Sequence, residues 1–314
     1  MTIQQIYELA IEMGIKADFR SRKEIKEYLE RKKEEYNKLP KVEQRYFDKE
    51  RLANPYSDTR IHFDNGKSVK KALTTIDVSV GTLFLAKELG VDAIINHHPV
   101  GLALAGFDDV MNLQIDVLEK YGVPVSIAEK MLHKRISEVA RGVNPVNHYD
   151  IVDAARLLEI NLINIHGPAD NLVANFVNQA VGQVKPKYVS DVLEVLNKIP
   201  EYQEAKRQGA GPTLFSGAEK NRCGKIAVSE MTGGTEGSKE IYQVMANAGI
   251  GTIVGMHLSE EHKKEAEKAH INVVIAGHIS SDSLGMNLFL DQLEKKGIKI
   301  VPAGGLIRYS RIKN

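Results

Sequence analysis

Three segments of this chain place histidine directly after an apolar run, and two of them add an aspartate four residues later. The segments are residues 93–99, 162–170 and 273–282. Imidazole nitrogens and carboxylate oxygens together are the ligands that divalent transition metals take from proteins. The sequence therefore predicts a metal site that is assembled from distant parts of the chain.

Two histidine–aspartate pairs have the spacing of one helical turn, His166 with Asp170 and His278 with Asp282. Residues four apart lie on one face of a helix, so each pair can close on a single ion. The apolar runs before them predict strands, and ligands of open α/β sheets bind at the carboxyl ends of the strands. Both pairs are therefore expected at such an edge.

The adjacent histidines His97 and His98 follow a third predicted strand. Neighbouring residues on a regular strand point to opposite faces, so both can serve one site only if the strand has ended. Pro99 favours such an end, because it holds His98 extended and cannot donate to a ladder. A single histidine after a strand is more often an ordinary hydrogen-bonded group, but the agreement of three segments favours metal binding.

The number and type of candidate ligands indicate a pair of ions. Five or more nitrogen and oxygen ligands exceed what one tetrahedral zinc ion takes, whereas two ions with bridging carboxylates would use them. Cys223 is the only cysteine, so neither a thiolate site nor a disulfide framework is expected. Zinc, manganese, iron, cobalt and nickel all remain compatible with this ligand set.

Length and charge limit the classes of protein to consider. The 314 residues can form one large domain or two ordinary ones. The net charge of +1 and the absence of tryptophan and of a basic stripe argue against nucleic-acid binding. The sequence has no apolar run of about 18 residues, and its N-terminus lacks the features of a signal peptide. We therefore expect a cytoplasmic protein that does not bind membranes.

The predicted elements alternate between strand and helix on both sides of a region rich in proline and glycine. Residues 72–78, 81–89 and 92–96 predict a strand–helix–strand unit with parallel strands. A similar alternation follows from residue 225 to residue 301, so two α/β lobes are expected. The predicted division of the chain is a helical extension over 1–55, a first lobe over 56–184, a linker over 185–222 and a second lobe over 223–314.

The order of these segments resembles the Nif-three-like dinuclear metal-centre family. The similar elements are residues 76–78, 93–99, 166–170, and 277–278 with Asp282. The resemblance implies two similar α/β lobes that face each other across a metal-binding cleft. It also implies a homo-oligomer, typically a hexameric ring. By the same resemblance, two divalent ions would be bound by His97, His98, Asp170, His278 and Asp282.

Some members of this family are assigned as GTP cyclohydrolases of type I, class 2. A pair of divalent ions would lower the pKa of a bound water and attract an anionic substrate. The resemblance therefore implies a metal-dependent hydrolase that acts on a nucleotide or a phosphate ester. The alternative is a non-catalytic protein that binds metal for storage or structure, or regulates a partner protein.

This chain departs from the family pattern at Asp282, where the family usually has glutamate, and in an enlarged helical segment over residues 106–150. The shorter aspartate leaves open whether this position bridges two ions. His133 is a rival for the place of Asp170, but a second carboxylate would compensate more metal charge. Asp150, close to His148, is interpreted as a helix cap.

A glycine-rich segment, residues 229–238, connects a predicted strand to a predicted helix over 238–248. Such a turn can cradle phosphate at a helix N-terminus. The segment matches neither the P-loop nor the dinucleotide-binding pattern, and Glu230 and Glu236 would repel phosphate. We therefore interpret it as a tight structural turn.

Overall fold

The computed structural model describes residues 1–312 and contains two β-sheets surrounded by helices. The strands are β1 Arg60–Phe63, β2 Lys71–Thr75, β3 Ala93–Asn96, β4 Asn161–Asn164, β5 Thr213–Ser216, β6 Lys225–Val228, β7 Ile250–Gly255, β8 Asn272–Ile275 and β9 Lys299–Pro302.

The helices vary from one turn to five turns in length. They are α1 Ile3–Ala17, α2 Arg22–Lys38, α3 Lys41–Gln44, α4 Val80–Glu88, α5 Gly101–Ala105, α6 Phe107–Val110, α7 Leu113–Lys120, α8 Val125–Val143, α9 Asp150–Leu158, α10 Gly167–Val184, α11 Val189–Leu196, α12 Pro200–Arg207, α13 Ile241–Asn247, α14 Glu260–Lys268 and α15 His278–Lys295, with a short 3-10 helix at Lys49–Leu52. No helix within residues 1–312 is long and apolar enough to cross a membrane.

The two sheets share one strand order. The first sheet runs β1-β4-β3-β2-β9 and the second runs β5-β8-β7-β6. In each sheet the first strand of the set is an antiparallel edge strand, and the next three are mutually parallel. Strands β5 to β8 therefore repeat the arrangement of β1 to β4. This arrangement confirms the predicted α/β fold with two similar lobes.

Two strands lie where the sequence did not place them. Strand β9, which the sequence analysis assigned to the second lobe, pairs with β2 and completes the first sheet. The predicted linker contains α11, α12 and β5, and β5 pairs with β8 of the second sheet. Both are four-residue edge strands that are only partly buried, so their local pattern does not reveal which sheet they join.

The N-terminal helix α1 is packed into the first lobe. Its N-terminus is closed by a capping box between Thr2 and Gln5. Ile3, Ile6 and Ala10 are buried in the core beneath the first sheet. The predicted helical extension is therefore part of the first lobe at α1, whereas the highly charged α2 buries only Ile25.

Helices α10 and α15 pack against each other between the two sheets. They begin at residues 167 and 278, whereas the sequence pattern predicts helices over 172–181 and 283–296. Gly285 of α15 faces the backbone of Ala169 in α10 with no space for a side chain. This close approach places the N-terminal half of α15 against the first turn of α10.

We expect Gly285→Ala to destabilise the protein strongly. An added Cβ would overlap the carbonyl oxygen of Ala169 and lie 2.9 Å from its carbonyl carbon. Because these are backbone atoms, the helices must move apart, at a cost on the order of 2–3 kcal/mol in the free energy of unfolding. Urea denaturation measures this cost. Gly182→Ala in α10 is the matched control, because nothing lies within 4 Å of its added Cβ and alanine favours the helix. Equal stability of the two variants would contradict the expectation.

Candidate metal centre

The carboxyl ends of β3, β4 and β8 converge on one place between the sheets. His97 and His98 directly follow β3. His166 lies between β4 and α10, and His278 is the first residue of α15 after β8. Asp170 lies in the first turn of α10 and Asp282 one turn after His278 in α15, as the four-residue spacing in the sequence predicts.

All five residues of the predicted ligand set meet in this cluster. His97 Nε2 lies 3.4 Å from Asp170 Oδ1 and 3.6 Å from Asp282 Oδ1. The other oxygen of Asp282, Oδ2, lies 3.3 Å from His98 Nε2 and 3.3 Å from His278 Nε2. Asp282 is thus at the centre, with its two oxygens facing different imidazoles.

The buried atoms of the cluster lack hydrogen-bond partners. His97 Nε2, Asp170 Oδ1 and Asp282 Oδ2 are all buried and unpartnered. Leaving such a group unpaired costs about 1–3 kcal/mol, more if it is charged. Two ligands about 2.1 Å from a shared tetrahedral ion lie about 3.4 Å apart, which is close to the observed separations. The donor set therefore fits a divalent metal ion.

Hydrogen bonds on the far side of the rings orient His97 and His98. His97 Nδ1 donates to the carbonyl oxygen of Ile165 at 2.9 Å, so Nε2 is the ring nitrogen that faces the carboxylates. His98 Nδ1 lies 2.7 Å from Asp77 Oδ1. Contacts of this kind fix the tautomer and the ring direction of histidines that bind metals.

His166 and Asp58 form a buried pair behind the cluster. His166 Nδ1 lies 2.8 Å from Asp58 Oδ2 and 3.4 Å from Asp170 Oδ2, and its ring stacks on that of His97. Burial lowers the pKa of His166 to about 4, so this imidazole is neutral. Asp58 is not recognisable from the sequence, because it precedes a short edge strand and belongs to no known motif.

Two overlapping groups of three residues could hold a metal ion. One group is His97, His98 and Asp282, and the other is His97, His166 and Asp170. In each group the ligand atoms lie within 4.8 Å of one another. His97 belongs to both groups, so it occupies the shared position.

The pKa of Asp170 indicates that the buried end of the cluster has too little positive charge for its carboxylates. Burial, and then the negative charges of Asp282 and Asp58, raise the pKa of Asp170 well above its ordinary value. A buried carboxylate beside two others is costly unless a cation compensates it. A bound divalent ion would remove this cost.

At the exposed end of the cluster, imidazoles outnumber carboxylates. Burial alone would raise the pKa of Asp282, but the imidazoles of His97, His98 and His278 lower it well below its usual range. Burial likewise opposes the protonation of His98, yet Asp282 and Asp77 raise the pKa of His98 to about 9. The carboxylate of Asp282 is therefore ionised at neutral pH and available as a ligand.

The cluster is buried on one side and open on the other. The side chains of His97, Asp170 and Asp282 are 1%, 4% and 2% exposed. Those of His98 and His278 are 27% and 42% exposed. Solvent therefore reaches the cluster at the side formed by these two histidines.

The rival residues lie elsewhere. His133 is exposed on α8 and belongs to neither group of candidate ligands among residues 1–312. His148 Nε2 contacts the carbonyl oxygen of Val143 at 2.9 Å, and Asp150 is the first residue of α9. The structure thus places Asp170, and not His133, beside the histidines.

The glycine-rich segment over residues 229–238 is held as a loop between the lobes. Gln114 Nε2 donates to two of its carbonyl oxygens, at 2.8 and 2.6 Å. Thr232 Oγ1 donates to Asn171 Oδ1, next to Asp170. The following helix begins at Ile241, later than the sequence predicts, and is only seven residues long. These contacts agree with the interpretation of a structural turn.

Solved structures resemble this chain along most of its length. The crystal structure of a NIF3 superfamily protein from Sphaerobacter thermophilus covers 98% of this chain and 99% of that chain, with a TM-score of 0.76 and 25% sequence identity. Reduced HcgD from Methanocaldococcus jannaschii shares the fold over 78% of this chain and 87% of that chain, with a TM-score of 0.51 and 17% identity. Neither a family model nor a curated protein matches the sequence. The predicted resemblance is therefore confirmed: this chain has the fold of a NIF3 superfamily protein over nearly its whole length.

Proposed function

We propose that this chain binds a pair of divalent metal ions and hydrolyses a nucleotide or a phosphate ester. The observation that carries the proposal is the convergence of three buried, unpartnered ligand atoms, His97 Nε2, Asp170 Oδ1 and Asp282 Oδ2. The proposed ligands are His97, His98, Asp170, His278 and Asp282.

The orientation of Asp282 supports two ions rather than one. Its Oδ1 faces His97, near Asp170, and its Oδ2 faces His98 and His278. One carboxylate with an oxygen toward each set is the arrangement of a bridging ligand. Although aspartate is shorter than the glutamate usual in the family, its placement at the start of α15 brings both oxygens within reach.

The open side of the cluster supports hydrolysis rather than storage. Two divalent ions held there would supply Lewis-acid activation of a water molecule and positive charge toward an anionic substrate. Asp77 holds the ring of His98 at the open side, while Asp58 holds His166 at the buried side. Burial of His97 and its neighbours excludes water from one side and leaves the other for substrate.

Metal loading followed by an activity screen tests this proposal. Protein purified without chelator is loaded separately with zinc, manganese, iron, cobalt or nickel, and assayed against GTP, other nucleotides and phosphate esters. We expect about two ions per chain and turnover that is lost with chelator and restored by metal. Failure to bind metal would contradict the dinuclear centre. Bound metal without turnover in any form would instead favour the non-catalytic alternative.

A further inference from the structure

The internal repeat of the fold includes candidate metal ligands as well as strands. Strands β3 and β7 hold equivalent places in the two sheets, as do β4 with α10 and β8 with α15. We name the residues at these places the first and second half-sites. The first half-site is His97, His166 and Asp170, and the second half-site is His257, His278 and Asp282.

The two half-sites have the same internal spacing, and the second lies one residue further from its strand ends than the first. The last residues of β3 and β4 are paired, and so are the last residues of β7 and β8. His97 lies one residue after the end of β3, and His166 lies two residues after the end of β4. His257 lies two residues after the end of β7, and His278 lies three residues after the end of β8. In both repeats the second histidine is thus one residue further from its strand end than the first. In both repeats an aspartate follows the second histidine by one helical turn.

His257 has a buried ring nitrogen that is free to bind a metal ion. Its Nδ1 is buried and has no hydrogen-bond partner. Its ring lies edge-on to the ring of His278, with 4.4 Å between the ring centroids. His257 therefore adds a further unpartnered nitrogen next to a cluster that already contains three unpartnered ligand atoms.

We infer that His257 is a ligand of the ion on the open side of the cluster, beside His98, His278 and Asp282. This inference rests on the proposed dinuclear centre. Neutral imidazole suits zinc, cobalt, nickel and iron, and a four-ligand ion of this type can accept a fifth ligand from substrate.

In the inferred site, a side-chain rotation would close the second half-site. In the first half-site the three ligand atoms already lie within 4.8 Å of one another, whereas the second half-site is wider. His278 Nε2 already lies 3.3 Å from Asp282 Oδ2, and His278 is the most exposed member, so its ring has space to adjust toward His257. The additional nitrogen would compensate for the short reach of the aspartate at the bridging position.

Cobalt binding to His257→Ala tests the inference without an activity assay. The number of Co²⁺ ions, their affinities and the visible absorption of the loaded protein are compared with those of the wild type. We expect one ion to stay tightly bound and the other to bind at least about tenfold more weakly, with a changed spectrum. His133→Ala, the same change on exposed α8, is the matched control and should behave as the wild type.

His257→Gln serves as a second variant, because it preserves the size of the side chain if alanine disturbs the fold. Two ions with unchanged affinities and an unchanged spectrum in the folded variants would overturn the role of His257 and leave the dinuclear centre standing. Failure of the wild type itself to bind a second ion would overturn both proposals.

Discussion

His97→Ala is expected to reduce the bound metal from about two ions per chain to about one at most. His97 is the only residue shared by both groups of candidate ligands. Its Nε2 lies between Asp170 and Asp282, so its loss removes a nitrogen from the buried ion and leaves the two carboxylates facing each other. Elemental analysis of protein purified without chelator measures the effect.

His133→Ala is the control for this experiment, because it removes an exposed imidazole outside the cluster. It should retain the metal content of the wild type. If His97→Ala kept two ions, the cluster would not be the metal centre. If His133→Ala lost metal instead, the rival assignment from the sequence would be correct.

Asp282→Asn is expected to abolish binding of at least one ion and to lower the pKa of His98. The substitution keeps the shape of the side chain but removes the charge that faces three imidazoles. Asp282 is also a main cause of the raised His98 pKa, so loss of its charge should return the pKa toward the ordinary value near 6.5. Metal analysis and NMR titration of the metal-free protein measure the two effects. Asp282→Glu keeps the charge and should retain metal.

The same contact predicts a pH dependence of metal binding in the wild type. With a pKa of about 9, His98 is protonated at pH 7 in the metal-free protein, and an ion must displace that proton. The affinity of the ion bound by His98 should therefore rise by up to about tenfold per pH unit between pH 7 and 9. A flat affinity over this range would show that His98 does not bind the ion or is not protonated.

Much of the site could be predicted, because the sequence patterns that indicate it are local. An apolar run followed by histidine marks the end of a buried strand, and the four-residue spacing marks one helical turn. These patterns placed His97, His98, Asp170 and Asp282 close to strand ends, although α10 and α15 begin earlier than predicted. They could not identify Asp58, whose role depends on the pairing of β1 with β4. They also could not identify His257, which stands out as a candidate ligand only when the two structural repeats are compared.

The sequence by itself determined the residue types of the centre and their positions at strand ends, since burial of apolar runs is a property of each segment. Only the tertiary structure decided which atoms face one another. The close approach of α15 to α10 at Gly285 brings Asp282 toward Asp170, and the return of the chain through α15 to β9 connects the two lobes. Such separations of a few ångströms arise from packing between distant segments, and no local pattern encodes them.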